Sequence, residues 1–579
     1  MSSIVDYQVQ GHVGVITLNH PPVNALSVSK GLLQGVLDAI KEGEHDTAVK
    51  VFLLIVAGKN FSGGADITEF GKAPPPGLAN LRDLVSYMDT VTKPMVAAIS
   101  GPTMGGGLEL AMATHYRVAI TGAQIGLPEV KLGILPGDAG TQRLPRLVGA
   151  AVAVEMITTG DPVSTERAKE LGIVDEIVEA PLLPAAIKYA NRLVREGKPI
   201  RRASALTTAV DGDPDAFFAA ARERVAKAFR GYPAPLECLA CVEASVKRPF
   251  KDGLRFERER FEVLVATTES KSLRHAFFSE RAANKIDDVP DSTPVREIKS
   301  AAVIGAGTMG GGIAMNFVNA GIPVKVLEAA QDRLDKGFDI IRRNYAATVA
   351  KGKLSQDAMD KRMSLLTGVL SYDDLKDADI IIEAVFEEMD VKKEVFRKLD
   401  AVAKPGAILA TNTSTLDIDQ IAAVTKRPQD VIGLHFFSPA NVMRLLEIVR
   451  GAKTAHDVIA TSMKLAKTIK KVGVLVGVCD GFVGNRMVHA YFREAGFLIE
   501  EGALPQQVDR VLEEFGFAMG PFRVGDLAGL DIGWAIRKRQ AATRDPAERY
   551  TKIGDMICEL GRFGQKTGAG YYRYEAGNR

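Results

Sequence analysis

Residues Val303-Ile304-Gly305-Ala306-Gly307-Thr308-Met309-Gly310 decide the architecture of the second half of this chain. They form a G-x-G-x-x-G run directly after the apolar stretch Ala301–Ile304 and before a helix-compatible run. In that setting Gly305 permits a tight turn, Gly307 lets backbone N–H groups approach a pyrophosphate, and Gly310 allows a helix to pack closely on a strand. The next strand candidate, Val324–Leu327, ends at Glu328, at the spacing of an acid that binds the ribose hydroxyls of an adenosine. A carboxylate there repels a 2′-phosphate, so the expected cofactor is NAD rather than NADP. Among 55 glycines a bare glycine motif is a weak signal, and the strand, the spacing and the acid together raise it.

Working outward, Ile380–Glu383, Ile408–Thr411 and Val431–Leu434 read as further strands, which predicts a doubly wound parallel sheet of Rossmann type. Upstream, residues 286–297 hold two prolines, acids and small polar residues, and form the best linker. Before that linker the pattern is α/β again: Val13–Leu18, Val49–Val56 and Met95–Ile99 as strands, Ser27–Lys41 and Leu78–Val91 as helices. A proline-rich loop, Gly71–Gly77, is expected at the surface. From about Pro184 to Lys285, as in Arg255–Ala266, and again from Gly481 onward, the pattern is helical, and the chain closes on a Gly- and Tyr-rich segment.

Composition sets bounds on this picture. A chain of 579 residues, 46% hydrophobic and 25% charged, is globular and holds several domains. A net charge of +2 offers no overall field for nucleic acid, and Ala301–Val324, though uncharged, is too rich in glycine to read as a membrane span. Four cysteines form no disulfide framework, and the start Met1-Ser2-Ser3-Ile4 is no signal peptide, which predicts a reducing, cytoplasmic setting. Cys238 and Cys241 have no accompanying ligand pair, so no metal is expected.

Chemistry enters the second half with Asn412-Thr413-Ser414-Thr415, then His435-Phe436-Phe437-Ser438-Pro439, then Glu447. His435 ends a strand candidate, where open sheets place cofactor and substrate. Oxidising an alcohol needs a base for the hydroxyl proton while hydride leaves, and imidazole suits that task. Glu447 can orient the ring, and Ser414 and Asn485 can hydrogen-bond the substrate oxygen. These motifs, with Gly481-Phe482-Val483-Gly484-Asn485-Arg486 and the segment Met519–Asp531, resemble the L-3-hydroxyacyl-CoA dehydrogenase family in order and spacing. The resemblance implies His435 as base, Glu447 as its partner, Ser414 and Asn485 as substrate-positioning groups, and cofactor or substrate contacts at Glu387 and Lys392, with Met309 inside the dinucleotide turn. Thr415 and Ser438 stand where that family has Ser and Asn, changes that keep polarity.

In the first third, Phe61-Ser62-Gly63-Gly64-Ala65-Asp66 and Gly105-Gly106-Gly107-Leu108-Glu109 both pair small residues with a turn. Two backbone N–H groups aimed at one point stabilise a thioester enolate. Glu109 and, in Leu127-Pro128-Glu129-Val130, a second glutamate can activate water and protonate carbon. With Leu132–Pro145 and Ala168–Ile177, this set resembles the crotonase (enoyl-CoA hydratase/isomerase) family of ββα-spiral fold. The resemblance implies Ala65 and Gly106 as oxyanion-hole donors and Glu109 with Glu129 as the acid/base pair.

Crotonase first and dehydrogenase second, with the junction Arg274–Lys285, resembles the multifunctional fatty-acid β-oxidation family known from peroxisomes and bacteria. The expected division is 1–285 crotonase, 286–297 linker, 298–478 NAD-binding Rossmann domain and 479–579 all-α dehydrogenase C-terminal domain. The expected activity is hydration of a trans-2-enoyl-CoA to an L-3-hydroxyacyl-CoA, then oxidation by NAD to the 3-ketoacyl-CoA. An isomerase-dominated crotonase half and a non-catalytic acyl-CoA and NAD sensor stay open. Partners are acyl-CoA thioesters, with no nucleic acid and no membrane insertion. Relatives in that family continue with a second helical domain, so the helical end here is expected to stay monomeric or to pair as a homodimer. The C-terminal Glu575-Ala-Gly-Asn-Arg579 is no Ser-Lys-Leu address, and a truncation leaves a peroxisomal location as the alternative.

Overall fold

The computed structural model describes residues 4–70, 72 and 75–575. Gly71, Ala73 and Pro74 of the expected proline-rich loop, the start Met1–Ser3 and the last four residues lie outside them. The chain divides into two compact units, Met1–Phe278 and Ser279–Arg579, and residues 283–300 carry neither helix nor strand.

In the first unit six strands follow chain order across one sheet: β1 (Val5–Gln10), β2 (Val13–Leu18), β3 (Val51–Val56), β4 (Met95–Ile99), β5 (Tyr116–Ala119) and β6 (Glu176–Ile177). Only the β1–β2 pair is antiparallel. The unbroken apolar run of β3 follows from burial on both faces. Phe52, Leu54 and Val56 enter one core, and Val51, Leu53 and Ile55 enter the other. A small second sheet, Thr103–Met104, Gln124–Gly126 and Val163–Ser164, sits beside the turns that lead to Glu109 and Glu129.

Two helices start later than their periodicity predicts. The first runs Leu32–His45 because Gly31 is left-handed, at φ 71°, and Ser27 and Ser29 instead bind the Glu69 carboxylate. The second runs Leu81–Met88, where Asn80 and Asp83 close a reciprocal capping box.

The second unit holds an eight-stranded sheet built from β7 (Ala301–Ile304), β8 (Val324–Leu327), β9 (Leu366–Val369), β10 (Ile380–Glu383), β11 (Ile408–Thr411), β12 (Val431–Phe436), β13 (Leu445–Arg450) and β14 (Val472–Gly477). Their order is β9-β8-β7-β10-β11-β12-β13-β14, and only β12–β13 is antiparallel. Helices follow from Gly484–Glu500 onward. The closing Gly- and Tyr-rich segment is pinned by buried Asp526, which accepts hydrogen bonds from the Tyr571 and Tyr572 N–H groups and the Tyr574 hydroxyl. Gly570 is required there, since a Cβ would fall 1.9 Å from Asp526 Oδ1. Among the described residues no helix is long and apolar enough to cross a membrane.

Candidate active sites

In the first unit Glu109 lies in the first turn of the helix Gly106–Ala113, and Glu129 lies in the single turn Pro128–Leu132 that begins on proline. One Glu109 oxygen accepts hydrogen bonds from the Asp138 and Gly140 N–H groups, both at 2.8 Å. Glu129 Oε2 is buried with no hydrogen-bond partner among the described residues. Two glycines make room for these carboxylates. A Cβ on Gly105 would lie 2.6 Å from Glu129 Oε1, and one on Gly140 would lie 2.7 Å from Glu109 Oε1.

The expected oxyanion donors are brought together as well. A Cβ on Gly106 would stand 3.2 Å from the Ala65 nitrogen, and neither the Ala65 nor the Gly106 N–H has an acceptor among the described residues. Gly106 opens its helix, so its N–H has no acceptor within that helix. The parallel bridge between Leu26 and Ala65 uses Gly64 O and the Asp66 N–H, which leaves the Ala65 N–H free to face a ligand.

Burial dominates the acidities here. It pushes Glu129 up to about 8, with Asp138 and Glu257 adding negative charge. Glu109 is raised well above the usual carboxylate range by burial, then by Asp138, Glu129 and Glu257. Asp138 is also raised by burial, against the pull of Arg82. Two nearby buried acids cannot both ionise cheaply. Two N–H donors favour the ionised form of Glu109, whereas no donor among the described residues meets Glu129 Oε2 to favour its own.

In the second unit the antiparallel register of β12 and β13 sets His435 directly opposite Glu447. His435 Nδ1 and Glu447 Oε2 are 2.7 Å apart, and the other Glu447 oxygen accepts from the Val483 and Gly484 N–H groups at 3.0 and 2.8 Å. Burial alone would raise Glu447, but His435 and these N–H groups outweigh it and hold the carboxylate below its usual range. A carboxylate on Nδ1 fixes the tautomer, so Nε2 carries the free lone pair. Phe437 and Phe482 flank the ring, with centroids at 4.5 and 5.6 Å.

The dinucleotide turn fits a pyrophosphate. Gly305 is left-handed at φ 100°, a Cβ on Gly310 would lie 1.9 Å from Gly305 O, and a Cβ on Gly307 would meet nothing within 4 Å. Glu328 closes the turn by accepting from the Ala306 N–H at 2.9 Å, and Met309 is half-buried beside it.

Ser414, Glu387 and Lys392 form a separate cluster. One Glu387 oxygen accepts from the Ser414 N–H and hydroxyl and from the Thr413 hydroxyl. Lys392 is buried between Glu383, at 2.7 Å, and Glu387, at 3.2 Å. Its ammonium therefore braces the loop that carries Ser414. Asn485 lies in the first turn of the helix Gly484–Glu500 and has no side-chain bond among the described residues.

Three contributors escape sequence reading. Glu383 ends an apolar strand and receives Lys392, the Val385 N–H and the Thr411 hydroxyl. Asn412 accepts from the Phe436 N–H at 2.9 Å and ties β11 to the histidine strand. Glu257 sits on the helix Phe250–Ala266, and its signal was an acid at helical spacing between Gly253 and Phe261. Cys238 and Cys241 are buried side by side on the helix Pro233–Lys247, and no metal-holding cluster occurs among the described residues.

Comparison with known proteins adds three family matches: enoyl-CoA hydratase/isomerase over residues 8–281, the NAD-binding domain of 3-hydroxyacyl-CoA dehydrogenase over 300–479, and the C-terminal domain of the same dehydrogenase over 481–574. A peroxisomal bifunctional enzyme of Danio rerio is 45% identical over 98% of this chain and 80% of its own length. The Homo sapiens peroxisomal bifunctional enzyme is 43% identical over 97% of this chain and 79% of its own. A peroxisomal fatty acid beta-oxidation multifunctional protein of Arabidopsis thaliana is 38% identical over 98% of this chain and 80% of its own. These matches show the family: the chain belongs to the multifunctional β-oxidation family that joins an enoyl-CoA hydratase to an NAD-dependent 3-hydroxyacyl-CoA dehydrogenase.

Proposed function

We propose that Glu109 and Glu129 carry the hydration and that His435, backed by Glu447, carries the oxidation. The chain is an enoyl-CoA hydratase and NAD-dependent 3-hydroxyacyl-CoA dehydrogenase of fatty-acid β-oxidation. In the first site Glu109 takes a proton from water as the hydroxyl adds to C3 of the enoyl thioester, and Glu129 delivers a proton to C2. The Ala65 and Gly106 N–H groups hold the thioester oxygen as it gains charge. Proton return from Glu109 to Glu129 restores the starting state.

In the second site His435 Nε2 accepts the hydroxyl proton, and Glu447 stabilises the imidazolium through Nδ1–H. Bound NAD supplies the hydride acceptor. Asn485 and the Ser414 hydroxyl orient the substrate oxygen, the latter by turning away from Glu387. Gly305, Gly307, Met309, Gly310 and Glu328 line the cofactor turn, while Glu387 and Lys392 brace its neighbouring loop. The observation that carries the reading is the pairing of an unpartnered buried Glu129 with an N–H-held Glu109.

A coupled assay with enoyl-CoA and NAD tests it. Glu129→Gln is expected to lose NADH formation from enoyl-CoA and keep it from 3-hydroxyacyl-CoA. His435→Gln is expected to lose both while still consuming the enoyl thioester. Retained hydration by Glu129→Gln overturns the two-carboxylate assignment.

The free Glu129 oxygen also favours isomerisation of 3-enoyl to 2-enoyl thioesters, since one carboxylate can shuttle a proton between C2 and C4. Conversion of 3-enoyl-CoA that survives Glu109→Gln and is lost in Glu129→Gln supports that side activity. Exposed Phe515, Leu527, Ile532 and Leu560 on the C-terminal helices support a homodimer over a monomer, which sedimentation decides. Four unpaired cysteines support a reducing, cytoplasmic setting, and the peroxisomal relatives support the alternative compartment.

A further inference from the structure

Four successive backbone N–H groups at the start of the helix Gly140–Val148 divide between two buried glutamates. Asp138 and Gly140 donate to Glu109, whereas Ala139 and Thr141 donate to Glu257, at 2.8 and 3.1 Å. The Thr141 hydroxyl adds a third bond to Glu257, at 2.5 Å. Ala139, one of these donors, is left-handed, at φ 79°, although it is not glycine. Such a conformation persists only where its surroundings over-determine it.

Glu257 reaches this loop from 118 residues further along the chain. It stands on one face of the helix Phe250–Ala266, four residues from Gly253 and four from Phe261. All three touch the Glu109 loop and its helix: a Cβ on Gly253 would lie 2.1 Å from Gln142 Oε1, and one on Gly137 would lie 2.6 Å from Phe261. Burying a carboxylate without a cation is costly unless N–H donors receive it. No ion pair involves Glu257 among the described residues, so these donors compensate it.

We propose that Glu257 is a positioning residue for the hydration, clamping the loop 138–141 so that the Asp138 and Gly140 N–H groups point at Glu109. The inference rests on Glu109 as the base. Glu257 touches no reacting atom. Its clamp fixes Ala139, and with it the direction of the alternate N–H groups that set the Glu109 carboxylate.

The test uses the full chain, whose dehydrogenase half serves as an internal control. Glu257→Gln keeps one acceptor and removes the negative charge. Its hydration kcat is expected to fall about ten- to a hundredfold, because small misplacements of catalytic groups cost that much. KM for enoyl-CoA stays within about twofold, and NADH formation from 3-hydroxyacyl-CoA is unchanged. The pH profile of hydration moves to lower pH, since Glu257 raises both Glu109 and Glu129 electrostatically. Asp138, Arg82 and the Cys241 thiol, which also face Glu257, remain in the variant. Thr141→Val, which removes the hydroxyl arm together with the bond that hydroxyl accepts from Gln142 Nε2, gives a smaller loss in the same direction.

Hydration by Glu257→Gln with wild-type kcat and profile overturns the proposal while Glu109→Gln is inactive. If Glu257→Gln does not fold, wild-type behaviour of Thr141→Val overturns it instead. Activity in Glu109→Gln itself overturns the underlying base assignment.

Discussion

In the first unit Glu109, Glu129 and Glu257 are all pushed above the usual carboxylate range, whereas in the second Glu387 and Glu447 are held below it. Burial opposes ionisation in both places, and the partners decide the outcome. Glu447 meets an imidazole and two N–H groups, and Glu387 meets the Lys392 ammonium, two hydroxyls and the N–H groups of Ser414 and Thr415. The three acids of the first unit crowd one another, and Glu129 keeps an oxygen unpartnered. Each arrangement matches its chemistry. Hydration needs a carboxyl that still holds a proton, and oxidation needs an anion to steady an imidazolium.

The largest effect is expected from Glu447→Gln. An amide opposite Nδ1 can donate to it and favour the wrong tautomer, so kcat for NADH formation should fall about a thousand- to ten-thousandfold while hydration is untouched. A loss under about tenfold would break the parallel with an orienting carboxylate. Next, Lys392→Met leaves Glu383 buried and unpaired, and should destabilise the second unit by about 3–5 kcal/mol in denaturant unfolding followed by hydrogen exchange. Unchanged stability there would show that the ammonium is not what compensates Glu383.

Single methyl groups make a matched pair of smaller tests. Gly310→Ala forces a Cβ against Gly305 O and should raise KM for NAD about tenfold or more, leaving hydration intact. Gly140→Ala forces a Cβ against Glu109 Oε1 and should depress hydration alone. Kinetics of both reactions on each variant check this, and cross-effects would contradict the independence of the two sites.

The last comparison lies in stability against pH, and its sign differs between the units. Acids raised in the folded state bind more protons than in the unfolded chain. Their contribution in the first unit is therefore full below about pH 4.5 and is lost as pH rises toward the values of about 7 for Glu257 and about 8 for Glu129. Glu447 and Glu387 are lowered, so their contribution is present above the ordinary carboxylate range and is lost as pH falls into acid. Hydrogen exchange resolved along the chain should show opposite slopes, and equal slopes would erase the contrast.

How much of this was legible depends on the distance over which each contact forms. His435 and Glu447 are twelve residues apart and their chemistry could be read as a pair, but the strand that carries Glu447 is not among those expected and the register comes only with the sheet. The cofactor turn is equally local. Strand β9 is not legible in the sequence, because Thr367 and Gly368 are exposed and break the apolar pattern. Glu257 reads in the sequence only as an acid on a helix, because its role exists only once that helix, 118 residues away, packs on the loop. The enclosure of Lys392 likewise needs the fold, since its ammonium lies between two carboxylates of its own unit.

Infrared difference spectroscopy at neutral pH measures the contrast most directly, by comparing the wild-type chain with Glu129→Gln and with Glu447→Gln. Loss of a protonated-carboxyl C=O band in the first comparison and of a carboxylate band in the second is the predicted result. A carboxylate band lost from Glu129, or a protonated band lost from Glu447, would contradict the account of two sites that use one side chain in opposite charge states.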